Sequence, residues 1–219
     1  MASIKSIKNT FLKDKKMVLN NIWNKDILQH NLSFLALFIG MYEQFEDKVI
    51  ENVDCFLNLG CSANDDTHCK KSEYYRQNIL NRKVDENGNK NKLKATMLWF
   101  VDVGAITPED YSLFLNIKEA RNIYVHQLTK CVVNGISDKD IDMLVQLLNL
   151  FYKIDNWWIN EIEIPTSGIS ASDDYPTEEA YSMIYTIYRD MINILFLGKA
   201  DDYQAYLNNL HSPTDEHSK

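Results

Sequence analysis

The sequence predicts a single-domain, all-α protein: an up-and-down bundle of four to five main helices with short extra helices. Two observations predict this fold class. Only 7 glycines and 4 prolines occur in 219 residues, so turn-forming residues are scarce. Apolar residues also recur at spacings of three and four over long stretches, which places them on one face of a helix. With 45% hydrophobic residues, the chain can build one sizeable core.

The helices follow from this periodicity and from the breaks in it. A basic helix is predicted over 1–25, docked at the edge of the bundle or fraying. The other predicted helices cover 26–59, 72–84, 92–103, 107–131, 137–164, 177–197 and 203–210. The segment 165–176, rich in Ser, Asp, Gly and Pro, is predicted to be a loop, and 211–219 a disordered tail. All of these elements are assigned to one domain, 1–219.

Local signals mark several helix boundaries. Thr107 can accept hydrogen bonds from free amides, and Pro108 suits a first helical turn. Asn134-Gly135 predicts a helix stop because glycine readily adopts positive φ. Ser137 then predicts a fresh N-cap.

The net charge and the length of the longest apolar run indicate which partners and which compartment to expect. The net charge is -8, which disfavours general nucleic-acid binding and restricts phosphate contacts to local basic clusters. Lys70, Lys71 and Arg76 belong to the best such cluster and are predicted substrate-binding residues; the alternative is a solvated surface. The longest apolar run, 32–41, is about half of the ~20 residues that a membrane span needs. Without a signal-peptide pattern, the sequence predicts a cytoplasmic protein that does not contact a membrane.

One hexapeptide carries the strongest functional signal. Arg121-Asn122-Ile123-Tyr124-Val125-His126 lies inside a predicted helix. It resembles the R-N-x-x-x-H signature of the HEPN superfamily (higher eukaryotes and prokaryotes nucleotide-binding), and the acidic and aromatic stretch around Glu43 and Glu46 resembles the helix that flanks this motif in abortive-infection relatives. The resemblance implies a helical bundle that forms a homodimer and acts as a metal-independent endoribonuclease, as a toxin or in phage defence.

The motif residues suit RNA cleavage chemically. His126 can gain and lose a proton near neutral pH, and Arg121 can hold a phosphate through two hydrogen bonds. On a straight helix these two side chains point about 140° apart, so a two-fold dimer would gather two of each in one cleft. Asn122, one turn before His126, is predicted to orient the ring or to contact the RNA. Glu43 and Glu46 are predicted to be a solvated or salt-bridged edge, or to hold Arg121 in position.

The resemblance also implies partners. An antitoxin or a nucleotidyltransferase is a possible partner, because in some HEPN RNases a partner nucleotidyltransferase modifies a tyrosine two residues after the histidine. Here that position is Leu128, which argues against this mode of control. No metal and no cofactor are expected.

Other interpretations remain open. The motif side chains could simply pair with nearby acids, or the bundle could be a non-catalytic module that binds a nucleotide or a protein, or a helical scaffold. Cys55, Cys61, His68 and Cys69 offer soft metal ligands, but they lack a C-x-x-C spacing, which disfavours a zinc site.

Overall fold

A computed structural model describes residues 15–58, 72–167 and 180–204. A first helix, α1, covers 15–23. The following elements are α2 Lys25–Leu57, α3 Glu73–Tyr75 with a π-helical turn Arg76–Leu80, α4 Lys92–Asp102, α5 Pro108–His126, α6 Leu128–Asn134, α7 Asp138–Trp158 with a π-helical turn Ile159–Glu163, α8 Ile164–Thr166 and α9 Met183–Leu195. Extended structure in the described part is limited to one isolated bridge between Lys83 and Lys90. The prediction of an all-α protein is confirmed.

The 33-residue helix α2 is the central element of the fold. It contacts α3, α4, α5, α6, α7 and α9. Phe34, Phe38, Met41, Phe45 and Val49 recur at spacings of three and four along it, and all five are buried. Among the helices of the described residues, none is long and apolar enough to cross a lipid bilayer.

Aromatic side chains fill the core between the long helices. Phe45 packs edge-to-face against Phe151 of α7, with ring centroids 5.8 Å apart. Phe100 of α4 meets Trp158 at 6.2 Å in the same type of arrangement. Trp158 also packs on Phe56, near the end of α2. These contacts tie α4 and α7 to α2.

The N-terminal boundaries of α5 and α7 form as the sequence predicts. The Thr107 hydroxyl accepts from the Asp110 amide at 3.2 Å, and the Asp110 carboxylate accepts from the Thr107 amide at 3.0 Å. At α7 the Asp140 carboxylate accepts from the amide and the hydroxyl of Ser137. Gly135 ends α6 with φ 83°, and a Cβ there would lie 2.9 Å from the Asn21 side chain in α1. Glycine is therefore favoured at this stop because of its positive φ, and a Cβ would also force the Asn21 side chain to shift.

One predicted boundary is wrong. The helix expected to run to about Cys131 ends at His126, and the chain turns at Gln127 before α6 begins. The turn lets α6 reach α2, where the Asn31 amide group donates to the Val132 carbonyl at 3.3 Å. Because no glycine or proline marks this break, local sequence gives no signal for it.

Other boundaries shift for identifiable reasons. The helix predicted over 72–84 ends at Leu80, in a π-helical turn. The helix expected to stop before Pro165 continues to Thr166, because Pro165 lies in the first turn of α8, where its missing N–H costs nothing. The described part of the predicted helix 177–197 begins only at Met183, where the Ser182 hydroxyl caps the Tyr185 amide.

Several predictions fall on residues outside the described ranges. These are most of the N-terminal basic helix (1–14), most of the loop 165–176, most of the helix near 203–210 and the tail 211–219. Of the N-terminal prediction, 15–23 is helical; of the last helix, 200–204 is helical.

Two cap carboxylates couple the fold to pH. Burial alone would raise the pKa of Asp110, but the Lys153 ammonium 2.7 Å away and the cap amide outweigh it and leave the pKa below its usual value. Burial also tends to raise the pKa of Asp140. Hydrogen bonds that the Ser137 hydroxyl and the Tyr124 phenol donate to this carboxylate outweigh the effect of burial, so the pKa of Asp140 is lowered as well. Both carboxylates therefore stabilise the fold in their ionised form.

We expect the protein to lose stability as pH falls. A carboxylate with a lowered folded pKa contributes stability above its unfolded pKa, about 3.9, and this contribution disappears as pH drops through the folded value. Urea midpoints measured from pH 6 to about 3 should therefore decrease. The double variant Asp110→Asn/Asp140→Asn should decrease less steeply, whereas the exposed-site variant Asp142→Asn should follow the wild type. Equal slopes for all three proteins would contradict this assignment.

Candidate functional site

Arg121 lies on the α2 side of α5 and is held by several groups at once. Its Nε donates to Glu43 Oε1 at 3.0 Å, and its Nη2 contacts the same oxygen. Its Nη1 donates to Asn122 Oδ1 at 3.2 Å. The guanidinium carbon lies 5.4 Å from the centre of the Tyr42 ring, within cation–π range. The side chain is fixed although a quarter of it is exposed.

This arrangement leaves part of the guanidinium available. An arginine has five N–H donors, and Glu43 and Asn122 engage three of them. The other two, one on each terminal nitrogen, have no partner within the described residues. The hydrogen bond that Arg121 donates to Glu43 also raises the pKa of Arg121, and burial opposes this shift. Arg121 can therefore still offer two N–H groups to an oxyanion.

His126 lies at the very end of α5 and faces solvent. Its imidazole makes no hydrogen bond or ion pair within the described part of the chain. Asn122 lies one turn earlier on the same face, and its side-chain oxygen is bound to Arg121 rather than to the ring. His126 is thus free to contact a ligand.

Tyr124, which lies between Asn122 and His126 in the chain, faces inward. Its ring packs edge-to-face on Phe34 and Phe38, with centroid distances of 5.5 and 4.9 Å. Its hydroxyl donates to Asp140 Oδ1 at 2.5 Å. The buried tyrosine therefore locks the motif turn onto α2 and α7, which fixes the direction of its exposed neighbours.

The two predicted acidic residues differ in what they contact. Glu43 binds Arg121 directly. Glu46 makes no ion pair with Arg121, although its charge helps to raise the pKa of Arg121. The Tyr42 phenol has a pKa well above its usual range because of burial and the nearby Glu46 carboxylate. The contact of Tyr42 with Arg121 was not predicted, and the only available signal was its place directly before Glu43.

The predicted substrate-binding cations do not join this cluster. Lys70 and Lys71 lie outside the described residues. Arg76 is exposed and makes no side-chain hydrogen bond or ion pair within the described ranges. The same segment continues to Arg82, whose charge acts on Tyr111 near the start of α5. His126 is fifteen residues further along this helix, about 22 Å away at 1.5 Å per residue.

The described residues contain no cluster of three or more His, Cys, Asp or Glu side chains that could hold a metal ion. Of the four soft ligands considered above, only Cys55 lies within the described ranges, where it is exposed as a free thiol.

Comparisons with known proteins do not extend this picture. The chain matches no protein-family model, and no curated protein and no solved structure is significantly similar to it.

Proposed function

We propose that this protein is an endoribonuclease of the HEPN type that cleaves RNA without a metal ion, as a toxin or phage-defence effector. Arg121 and His126 are its catalytic residues, and two copies bring them into one cleft. The observation that carries the proposal is the arrangement at the end of α5. Arg121 is fixed by Glu43 with two N–H groups left for an oxyanion, and His126 is exposed and without a partner in the described residues.

The reaction needs only these groups and the RNA itself. An imidazole removes the proton from a ribose 2′-hydroxyl, and the 2′-oxygen attacks the adjacent phosphorus. The bond from phosphorus to the 5′-oxygen breaks, and that oxygen takes a proton from an imidazolium, for which His126 of the partner subunit is available in the cleft. Arg121 holds the phosphate while negative charge builds on its oxygens. The products are a 2′,3′-cyclic phosphate and a 5′-hydroxyl.

Glu43 and Asn122 act as positioning residues in this scheme. A long arginine side chain loses much rotational freedom when it binds phosphate, and a guanidinium that is already fixed avoids part of that cost. Glu43 binds the edge of the guanidinium formed by Nε and Nη2, and Asn122 binds Nη1, which leaves one N–H group on each terminal nitrogen for a phosphate. The same carboxylate also neutralises part of the positive charge, which weakens the attraction for phosphate.

The partial neutralisation of Arg121 by Glu43 favours one alternative, a non-catalytic binding module. In a non-catalytic binding module for a nucleotide or a protein, the Arg121–Glu43 pair would serve to fix α5 against α2. Such a module would bind its ligand and leave it intact, whereas the proposed enzyme cleaves it.

The experiment is an RNA cleavage assay in the presence of EDTA. We expect the purified protein to cut single-stranded RNA and to leave 2′,3′-cyclic phosphate and 5′-hydroxyl ends, identified by mass spectrometry. An oligonucleotide of the same sequence with 2′-O-methyl groups should stay intact, because it lacks the free nucleophile. Cleavage of the methylated strand, or 3′-hydroxyl and 5′-phosphate ends, would refute the mechanism. Binding of RNA without cleavage would support the module.

A further inference from the structure

Helix α1 ends in a tryptophan that faces solvent. Trp23 is 77% exposed and makes no ring contact within the described residues. The other three tryptophans of the chain, Trp99, Trp157 and Trp158, pack in or against the core. One exposed apolar side chain needs no explanation by itself, so the groups around Trp23 decide what it can bind.

The docking of α1 turns Trp23 away from the bundle. Asn21 is buried, and its Nδ2 donates to the Val133 carbonyl at the end of α6 at 2.9 Å. Trp23 follows Asn21 by two residues, which is about 200° around a helix. The face that carries Asn21 is therefore the docked one, and the indole lies on the opposite side.

Cations and amides share this outward face with the indole. Lys16, Asn20 and Trp23 follow one another at intervals of four and three residues, the spacing of one helix face. Lys15 and Lys16 are exposed, and neither forms an ion pair within the described residues. An open groove runs along this face, and we call it the α1 groove. It is lined by Lys15, Lys16, Leu19, Asn20, Trp23 and Asn24.

The charge of this region selects an anionic ligand. Residues 1–25 carry six lysines and one acid, Asp14, in a chain whose net charge is -8. A local excess of lysines attracts a phosphate backbone. An exposed indole beside such cations offers a flat surface on which an unpaired base stacks. The α1 groove thus combines the two features of a site for single-stranded nucleic acid.

A lipid surface would require a different face. Helices that lie in a bilayer interface bury a broad apolar stripe. In the α1 groove only Leu19 and Trp23 are apolar, and Leu19 is half-buried. The other four lining residues are lysines and asparagines, and the asparagine amides can donate to and accept from base edges. The composition of the groove therefore favours a nucleic acid.

The α1 groove lies within reach of the proposed cleavage site. Helix α1 is bound to the C-terminal end of α6 through Asn21. Helix α6 begins two residues after His126 and spans seven residues, about 10 Å at 1.5 Å per residue. The exposed Lys130 lies between the two ends. A strand that is held at α1 can therefore continue along α6 to His126.

We infer that the α1 groove binds an unpaired stretch of the RNA substrate, away from the bond that is cut. A base stacks on Trp23, and Lys15 and Lys16 hold the neighbouring phosphates. The choice of RNA rests on the proposed function, whereas the groove itself does not involve Arg121 or His126. Because these contacts are the same in the substrate and in the transition state, they lower KM and leave kcat unchanged.

The test is binding of an RNA that the enzyme cannot cut. A 2′-O-methyl RNA of about 12 nucleotides, within the length that single-strand sites cover, is titrated into the protein. We expect it to quench the tryptophan fluorescence, because the exposed Trp23 is the indole that a base can reach. A duplex of the same sequence should quench much less, since its bases are already stacked on one another.

Variants separate stacking from charge, with affinity measured by the anisotropy of labelled 2′-O-methyl RNA. Trp23→Ala should weaken binding roughly 5- to 100-fold and raise the KM for cleavage by a similar factor, whereas Trp23→Phe keeps a stacking ring and most of the affinity. Lys15→Gln/Lys16→Gln should make the plot of log affinity against log salt less steep by about 1.4. Tyr74→Ala is the matched control, because Tyr74 is also an exposed aromatic residue (53%) but lies on α3, and it should bind as the wild type does. Circular dichroism should give all variants the wild-type helix content.

Failure of this inference and failure of the proposed cleavage give different results. If the 2′-O-methyl RNA quenches Trp23 but unmodified RNA stays intact, the inference stands and the proposed cleavage fails. If RNA is cut, and Trp23→Ala binds and cleaves it as the wild type does, the inference is overturned and the cleavage stands. A blue-shifted Trp23 emission with vesicles rich in phosphatidylserine, together with no response to RNA, would also overturn it, because α1 would then bind lipid.

Discussion

Replacing His126 with alanine is expected to lower RNA cleavage by about 10²- to 10⁴-fold, the usual loss when a general acid–base group is removed. The exposed imidazole makes no hydrogen bond or ion pair within the described residues, so the melting temperature should not change. The measurement is the initial rate of cleavage of a fluorescent RNA, with enzyme in excess. Because folding is unaffected, any loss of rate reports on chemistry.

Two matched variants sharpen this test. Thr129→Ala changes another exposed polar residue three positions further on and should cleave at the wild-type rate. Arg121→Lys keeps the positive charge but loses the planar fork that Glu43 and a phosphate can share, so its rate should also fall. If His126→Ala, Arg121→Lys and wild type cut RNA equally fast, the observed activity does not arise at this site.

Replacing Asp155 with alanine is expected to lower the free energy of unfolding by about 3 kcal/mol, the lower end for breaking a buried ion pair. The Asp155 side chain has no exposed area. The Lys48 ammonium lies 3.1 Å from Oδ1 in ion-pair rather than hydrogen-bond geometry. The other oxygen, Oδ2, accepts from the Ser182 amide at 2.5 Å. One carboxylate thus connects α2, α7 and the start of α9.

Lys48 keeps 22% of its side chain exposed and can be hydrated when Asp155 is removed. The loss of unfolding free energy in Asp155→Ala should therefore not reach the upper end of the range for buried ion pairs. A 3 kcal/mol loss corresponds to a melting temperature lower by ~6–12 °C in a chain of this size. Asp155→Asn retains an acceptor for the Ser182 amide and should lose less. Lys153→Ala breaks a pair whose lysine is half exposed and should cost under ~1 kcal/mol. A loss below 1 kcal/mol for Asp155→Ala would show that this carboxylate does not hold α9.

Periodicity and capping residues were sufficient to predict most of the helices. The buried stripe of α2 and the capped starts of α5 and α7 are encoded within a few neighbouring residues. The break at Gln127 is not encoded locally. It is stabilised by long-range hydrogen bonds that Asn21 and Asn31 donate to the end of α6. The late start of α9 has the same origin, since the buried Asp155 accepts from the Ser182 amide.

For the candidate site too, the sequence predicts local spacing but not the contacts between helices. The motif spacing predicted Asn122 and His126 on one face of the helix and Arg121 apart from them. In the structure the Arg121 guanidinium donates to the Asn122 side-chain oxygen, whereas His126 makes no hydrogen bond or ion pair within the described residues. Which acid would meet Arg121 depends on the rotation of α2 against α5. Glu43 and Glu46 are three residues apart on α2, and only packing decides that the first contacts the guanidinium. The catalytic roles of Arg121 and His126 stay predictions.

The inward position of Tyr124 has a consequence for recognising distant relatives. The three residues between Asn122 and His126 are not interchangeable, because the middle one must fill a space between two phenylalanines and reach a carboxylate sixteen positions later in the chain. A query for related chains gains discrimination if it requires an aromatic at that place, an acid sixteen residues downstream and a glutamate 78 residues upstream of the arginine. These three positions carry the contacts that hold the motif helix to α2 and α7 in this chain.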